Sequence, residues 1–178
     1  MQNQNEWIRK LGEQVEILEA EPMKNHTTFR IGGPADALAL PKTPEEVAEV
    51  VRFCHEHAQP YYVLGNGSNL LVSDEGYRGI VLQLYRNFND IQVNGETITV
   101  QSGAMLAAVA RTAYQNGLTG LEFASGIPGT IGGAVVMNAG AYGGEMKHVL
   151  REVTVLTKEG EVLAIPAKAL ELGYRTSV

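Results

Sequence analysis

Apolar positions along this chain follow two periods, and the switches between them outline its elements. Trp7, Leu11, Val15 and Leu18 recur three or four residues apart, a spacing that gathers them on one helix face, so residues 1–20 read as a short amphipathic helix. A polar segment, Asn25 to Pro34, leads into the apolar run Ala35–Leu40, which predicts a strand. Thr43-Pro44-Glu45-Glu46 then carries three agreeing helix-start signals: Thr as N-cap, Pro in the first turn, and Glu three residues after the Thr to close a capping box. Val47, Val50, Val51, Cys54 and Ala58 continue at helical spacing, which puts Cys54 on the buried stripe as a core thiol. Tyr61–Leu64 predicts a second strand, broken by Gly65-Asn66-Gly67-Ser68-Asn69, and Leu70–Val72 and Ile80–Leu84 resume the apolar character. A strand, helix, strand unit of this kind closes in the right-handed sense and presents its ligand loop at the strand's carboxyl end.

The second half is richer in hairpins. Ile91–Val100 alternates around Asn94-Gly95, the strongest short hairpin signal. Met105 to Gln115 reads as an Ala-rich helix stopped by Asn116-Gly117. Val149–Thr157 and Glu161–Ile165, joined by Lys158-Glu159-Gly160, make a second hairpin. The pattern predicts an α+β fold with an N-terminal helix over 1–20 and two subdomains, about 21–85 and 86–178.

Composition narrows the function. With 44% hydrophobic and 19% charged residues the chain suits one globular domain. A net charge of −6 argues against nucleic acid as a partner. The single cysteine allows no internal disulfide, and the opening MQNQNEWIRK lacks the apolar stretch of a signal peptide, so a cytoplasmic location is expected. His55 and His57, two apart on a helix, point to different faces and cannot jointly hold a metal, so no metal site is expected. Glycine is the outlier, with 20 residues, nine of them between Gly117 and Gly144. Phe123 to Gly144 is uncharged, yet Ser125, Pro128, Thr130, Asn138 and the glycines disqualify it as a membrane span. Leu121, Phe123, Ile127, Ile131, Val135, Val136 and Met137 are interleaved there, which reads as buried backbone, not as a flexible linker.

The glycine segments carry the candidate chemistry. Gly65-Asn66-Gly67-Ser68-Asn69 lacks the third glycine of a dinucleotide fingerprint, since position 70 is Leu, and lacks the Gly-Lys-Ser/Thr ending of a phosphate loop. It is either a plain tight turn or one whose backbone N–H groups approach a phosphate, with Ser68 and Asn69 as added donors. Ser125-Gly126-Ile127-Pro128-Gly129-Thr130-Ile131-Gly132-Gly133 sets two pairs of glycines around a proline in a charge-free stretch, which favours close backbone approach to a large flat ligand. Asn138-Ala139-Gly140-Ala141-Tyr142-Gly143-Gly144 continues that theme. Two separate ligand segments point to an extended cofactor.

Together with Asn25-His26-Thr27-Thr28-Phe29-Arg30-Ile31-Gly32-Gly33, these three strings, in this order, resemble the UDP-N-acetylenolpyruvoylglucosamine reductase family, over about residues 20 to 178. The resemblance implies an FAD-binding domain of the vanillyl-alcohol-oxidase type, made of two α/β subdomains. By that resemblance Gly65, Asn66, Gly67, Ser68, Asn69 and Leu70 form the pyrophosphate cradle. Ser125, Gly126, Ile127, Pro128, Gly129, Thr130, Gly132 and Gly133 run beside the cofactor. Arg30, Tyr62 and Asn138, Ala139, Gly140, Ala141 and Tyr142 form further walls. The first glycine loop has no histidine to tether a flavin, so FAD is expected to be held without a covalent bond. Gly173-Tyr174-Arg175-Thr176-Ser177 resembles the family's Tyr-Arg-x-Ser motif, whose arginine is catalytic; by residue type alone Arg175 is an ordinary surface charge.

The family's reaction takes hydride from NADPH to FAD and on to the enolpyruvyl group of a UDP-sugar, in peptidoglycan precursor synthesis. Family members continue past the Tyr-Arg-x-Ser motif into a substrate domain that supplies the proton-donating serine and a late glutamate. The expectation here is a flavin domain lacking that part, with little turnover of its own, and Ser177 is not read as the donor. Two alternatives stay open: an FAD-binding module without turnover, and another flavin oxidoreductase of the same fold. The oligomeric state is not legible.

Overall fold

The computed structural model describes residues 2–178, with side chains from Trp7 onward. Helix α1 spans Gln2–Gly12 and stops well short of the twenty residues its apolar spacing suggested. Glycine at position 12 costs about 1 kcal/mol in a helix interior, and the chain turns there, with the amides of Gln14 and Val15 both donating to the Leu11 carbonyl. Val15 therefore lies in a turn and Leu18 in strand β1, Ile17–Pro22. Trp7, Leu11 and Val15 still share one buried cluster, so the stripe identified a core and not a helix length.

The described chain gathers into two compact units, one running up to Asn87 with Leu156–Glu161 added, the other made of Phe88–Val155 and Val162–Val178. The first is built on β1, β2 (Pro34–Ala39), helix α2 (Pro44–Glu56), β3 (Tyr61–Leu64) and β4 (Tyr77–Gln83). The sheet order is β1-β2-β4-β3. β1 runs antiparallel to β2, while β4 lies parallel to both β2 and β3. Ile80, Val81 and Leu82 are all buried, as expected of a parallel strand covered on both faces. Alternation sends Ala37, Ala39, Ile80 and Leu82 to one side against Val50, Phe53 and Cys54 of α2 and Trp7 and Leu11 of α1. Leu38 and Val81 go to the other side with Met23 and Leu64.

Helix α2 starts where its capping signals place it. Thr43 is N-cap, its hydroxyl oxygen accepting from the Glu46 amide at 3.2 Å, and Pro44 occupies the first turn. The return arm differs from a standard box, because the Glu46 carboxylate accepts from the Lys42 amide at 2.7 Å instead of from Thr43. Ala58 lies beyond the helix end, exposed and at φ +49°. Leu70–Val72 forms neither helix nor strand.

In the second unit, β5 (Ile91–Asn94) and β6 (Thr97–Val100) pair antiparallel with Asn94 opposite Thr97, and Gly95 takes the φ of +57° that the tight turn requires. Helix α3 spans Leu106–Gln115 and ends at Asn116, with Gly117 at φ +68° behind it. A six-residue helix, α4 (Ile131–Val136), was not foreseen in the glycine-rich stretch. β7 (Gly140–Ala141) pairs with β8 (Gly144–Glu145), and β9 (Glu152–Leu156) with β10 (Val162–Pro166). Leu106, Ala110, Phe123, Ala124, Ala134, Ala139 and Met146 form the core of this unit. The fold is α+β, as the pattern of elements indicated.

Cys54 is buried at 2% exposure, and that burial pushes its thiol from 9.0 up to about 11. Below pH 9 the thiol is protonated in folded and unfolded chains alike and its contribution is intact. Between pH 9 and about 11 only the unfolded chain loses the proton, so stability falls as pH rises. Urea unfolding should show wild type losing up to about 2–3 kcal/mol more across that window than Cys54→Ala; equal alkaline slopes would contradict the assignment.

Candidate functional site

The loop after β3 is shaped by the segment beneath it. Gly67 is buried at φ +69°, and a Cβ there would run into the His26 carbonyl oxygen and lie 2.9 Å from Thr27 Cα. The Thr28 amide donates to the Gly67 carbonyl at 3.1 Å. Only glycine fits, for two separate reasons: the left-handed conformation and the adjoining backbone. The His26 side chain lies in the same layer and is itself buried. Its Nδ1 is 3.0 Å from Gln83 Oε1 and its Nε2 is 2.9 Å from Glu21 Oε1. The Gln83 amide nitrogen donates to the Gly65 carbonyl at 3.4 Å. Hydrogen bonding to His26, offset in part by burial, lowers the Glu21 carboxyl below its ordinary value.

Around this loop, Asn69 is exposed and Asn66, Ser68 and Leu70 are half-buried. Tyr62 on β3 is exposed, with its ring edge-on to Tyr77 at 6.5 Å between centroids. Arg30 is also exposed and adopts φ +56°. The loop contains no histidine or cysteine, His26 has both ring nitrogens engaged, and Cys54 is buried. The loop therefore offers small residues and backbone to a ligand and no side chain suited to a covalent flavin link.

The second glycine segment spends much of its backbone on the protein itself. Ser125 is exposed, but its hydroxyl donates to the Glu122 carbonyl at 2.9 Å. Gly126 and Pro128 are exposed and Ile127 packs against the core of its unit. Gly129 sits at φ +137°, its carbonyl accepting from the Leu106 amide. Thr130 is buried and caps α4 through its backbone. The Ile131 and Gly132 amides donate to the carbonyls of Ala104 and Ser102, each at 2.8 Å. A Cβ on Gly132 would lie 2.8 Å from the Ser102 Cβ. Gly132 thus answers to Ser102, a residue the sequence reading had not singled out. Gly133 is exposed and has room for a side chain, with Thr130 Oγ1 at 3.6 Å from the position of a Cβ.

Asn138 is likewise committed. It is 3% exposed and at φ +40°, its amide nitrogen donating to Glu145 Oε2 at 2.8 Å and to the Gly173 carbonyl at 2.9 Å, while its oxygen accepts from the Lys147 amide at 3.0 Å. Bonds from Lys147 and then Asn138 hold the Glu145 carboxyl below its ordinary value. Ala139 is buried, and Gly140 and Ala141 form β7. Gly140 has the Gly144 carbonyl 2.6 Å from where a Cβ would stand. Tyr142 and Gly143, both at positive φ, make the two-residue turn of the hairpin, with Tyr142 99% exposed at its tip. Arg175 sits at φ +56° on a turn closed by the Gly173 amide donating to the Thr176 carbonyl, and its guanidinium lies 5.8 Å from the Tyr174 ring centroid. Asn138 pins that turn at Gly173, and the Ser177 hydroxyl pins it again at the Val136 carbonyl, 2.9 Å away.

Among the described residues no three His, Cys, Asp or Glu side chains are grouped to hold a metal, and no helix is long and apolar enough to cross a membrane.

Comparison with known proteins turns this geometry into a family. The family described as FAD binding domain matches residues 35–165. The chain belongs to that FAD-binding domain family. Three relatives are UDP-N-acetylenolpyruvoylglucosamine reductases. That of Exiguobacterium sibiricum is 55% identical over 90% of this chain and 53% of its own length. That of Alkaliphilus metalliredigens is 49% identical over 97% and 57%. That of Clostridioides difficile is 45% identical over 100% and 59%. This FAD-binding domain therefore spans a little over half the length of the curated relatives it matches. Among solved structures, the UDP-N-acetylenolpyruvylglucosamine reductase of Thermus caldophilus superposes with a TM-score of 0.76 at 39% identity, over 92% of this chain and 56% of the other. Chitooligosaccharide oxidase (0.68, 18%) and p-cresol methylhydroxylase (0.68, 20%) share the fold.

Two glycines separate packing from ligand approach. Gly132→Val should lower the thermal unfolding midpoint by several degrees, equivalent to about 1–3 kcal/mol of overpacking, because the new side chain meets Ser102. Gly126→Ala, in open space, should leave the midpoint within a degree. Calorimetry of both variants checks this, and a stable Gly132→Val protein would show that Ser102 can give way.

Proposed function

We propose that this FAD-binding domain serves NADPH-dependent reduction of UDP-N-acetylenolpyruvoylglucosamine to UDP-N-acetylmuramate, in the cytoplasm, as a step of peptidoglycan precursor synthesis. The observation that carries the reading is identity of 45–55% to reductases of that name across nearly the whole chain. In support, the segments resembling that family, Asn25–Gly33, Leu64–Leu71, Ser125–Ala134 and Asn138–Tyr142, occur in order. FAD, when bound, supplies the redox centre through which hydride passes from the nicotinamide to the enolpyruvyl carbon.

What this chain's own residues contribute can be stated without that group. The Gly65–Leu70 loop fits a diphosphate, being small, strongly turned and free of acidic side chains. Nothing in it can form a bond to a flavin, which supports non-covalent holding. Arg175 supplies a fixed positive charge for the negative charge that develops on the sugar's enolpyruvyl group, a term worth roughly 3–4 kcal/mol per donor in comparable sites. The turn bearing it is held at Gly173 and Ser177, so less ordering is left to be done when substrate arrives. The Ser177 hydroxyl hydrogen is already given to Val136, which supports a structural role for it and not that of proton donor.

The purified protein should take up FAD and turn yellow, and acid or heat should release all of the flavin into the supernatant. Flavin that stays on the denatured chain, or no uptake from excess FAD, would defeat the proposal at its base. Turnover is tested with this sequence carried on to the length of its relatives. There Arg175→Ala should slow the half-reaction with the UDP-sugar about 10²–10³-fold and leave reduction by NADPH and FAD affinity within a few-fold. An unchanged sugar half-reaction in stopped flow would remove Arg175 from the chemistry.

A further inference from the structure

The Asn25–Thr28 segment has no role yet beyond its resemblance, and the structure gives it one. We infer that His26 is a positioning residue for FAD: acting through Gln83, it holds the Gly65–Gly67 turn in the shape that receives the cofactor's diphosphate. This rests on the reading of Gly65–Leu70 as the diphosphate cradle.

Hydrogen-bond direction orients the Gln83 side chain. The Gln83 amide nitrogen donates to the Gly65 carbonyl, so its oxygen is the atom that faces His26 Nδ1, and that nitrogen must carry the hydrogen of the 3.0 Å bond. The Glu21 carboxylate, 2.9 Å from Nε2, fixes the ring's rotation so that Nδ1 cannot turn away. Gln83 is 2% exposed and His26 is 6% exposed, so each bond is sheltered from water, and losing one partner leaves the other unsatisfied. The same segment grips the turn a second time through backbone, with the His26 carbonyl against Gly67 and the Thr28 amide on the Gly67 carbonyl. The turn is thereby tied at both of its glycines. Both carbonyls are thus spent on the protein, and a diphosphate is recognised by backbone N–H groups only where their directions are fixed beforehand.

The experiment compares FAD with riboflavin, which lacks the diphosphate, by fluorescence titration of flavin-free protein. Gln83→Met keeps the side chain's length and removes both of its bonds. It should weaken FAD at least tenfold and riboflavin less than threefold, and His26→Leu should do the same. The double variant should be no weaker than the worse single one, since both cut one chain of bonds. A measurement on the unaltered protein stands beside these: in nitrogen-15 NMR the His26 ring resonances should shift when FAD binds and stay in place with riboflavin, as should the amides of Gly65–Asn69. If the loop amides ignore FAD, the cradle reading itself falls. If they respond while the His26 ring does not, or while Gln83→Met retains FAD affinity within threefold, the cradle stands and the positioning role is overturned.

Discussion

Backbone lies against backbone, with no room for a side chain between, at three points where the 26–34 and 65–76 segments of the first unit cross. Gly67 faces the His26 carbonyl, Gly33 the Asp74 carbonyl, and Gly76 the Pro34 carbonyl, each so closely that a Cβ could not be accommodated. Amide hydrogen bonds run alongside, from Gly33 to Ser73 and from Thr28 to Gly67. The two segments are joined in this way, while Leu70 and Val72 also pack against the cluster of Met23, Leu38, Leu64 and Val81. The shape of the Gly65–Leu70 loop depends on that contact, since Gly67 lies against the His26 carbonyl and is bonded by the Thr28 amide. Its glycines are needed by the protein before any ligand is considered.

The second unit applies the same principle with different partners. Gly132 closes on Ser102, Gly140 on the Gly144 carbonyl, and Gly144 on the Phe123 ring. Polar side chains that look available in the sequence are also taken: Ser125 by Glu122, Asn138 by three separate groups, Ser177 by Val136. Of these only Asn138 is buried, and its polar atoms must find partners; in a stretch so poor in charge the backbone supplies two of its three. These polar groups are thus spent on the protein itself.

The sequence made the elements with local signals legible. Thr43-Pro44 set the start of α2, Asn94-Gly95 the turn of the first hairpin, and Asn116-Gly117 the end of α3, because each of these depends on neighbours in the chain. The glycine loops were recognisable as places of close approach for the same reason. What they approach was not, because Ser102 lies thirty residues from Gly132 and no periodicity links the two. His26 and Gln83 were hidden likewise: a buried histidine leaves no mark on spacing, and Gln83 closes β4 directly after the apolar run Ile80–Leu82. A polar residue at the buried end of β4 was the available signal.

Strand order has a consequence for the making of the protein. β2 and β3 are both finished before β4, yet neither pairs with the other, and β4 lies between them. While the chain leaves the ribosome, β3 has no hydrogen-bonded neighbour until residues 77–83 emerge, and the unit also draws in Leu156–Glu161 from much later. An unpaired strand carrying Tyr62 and Val63 on its surface is a ready template for another nascent chain. The arrangement that completes this sheet thus leaves a vulnerable interval during synthesis.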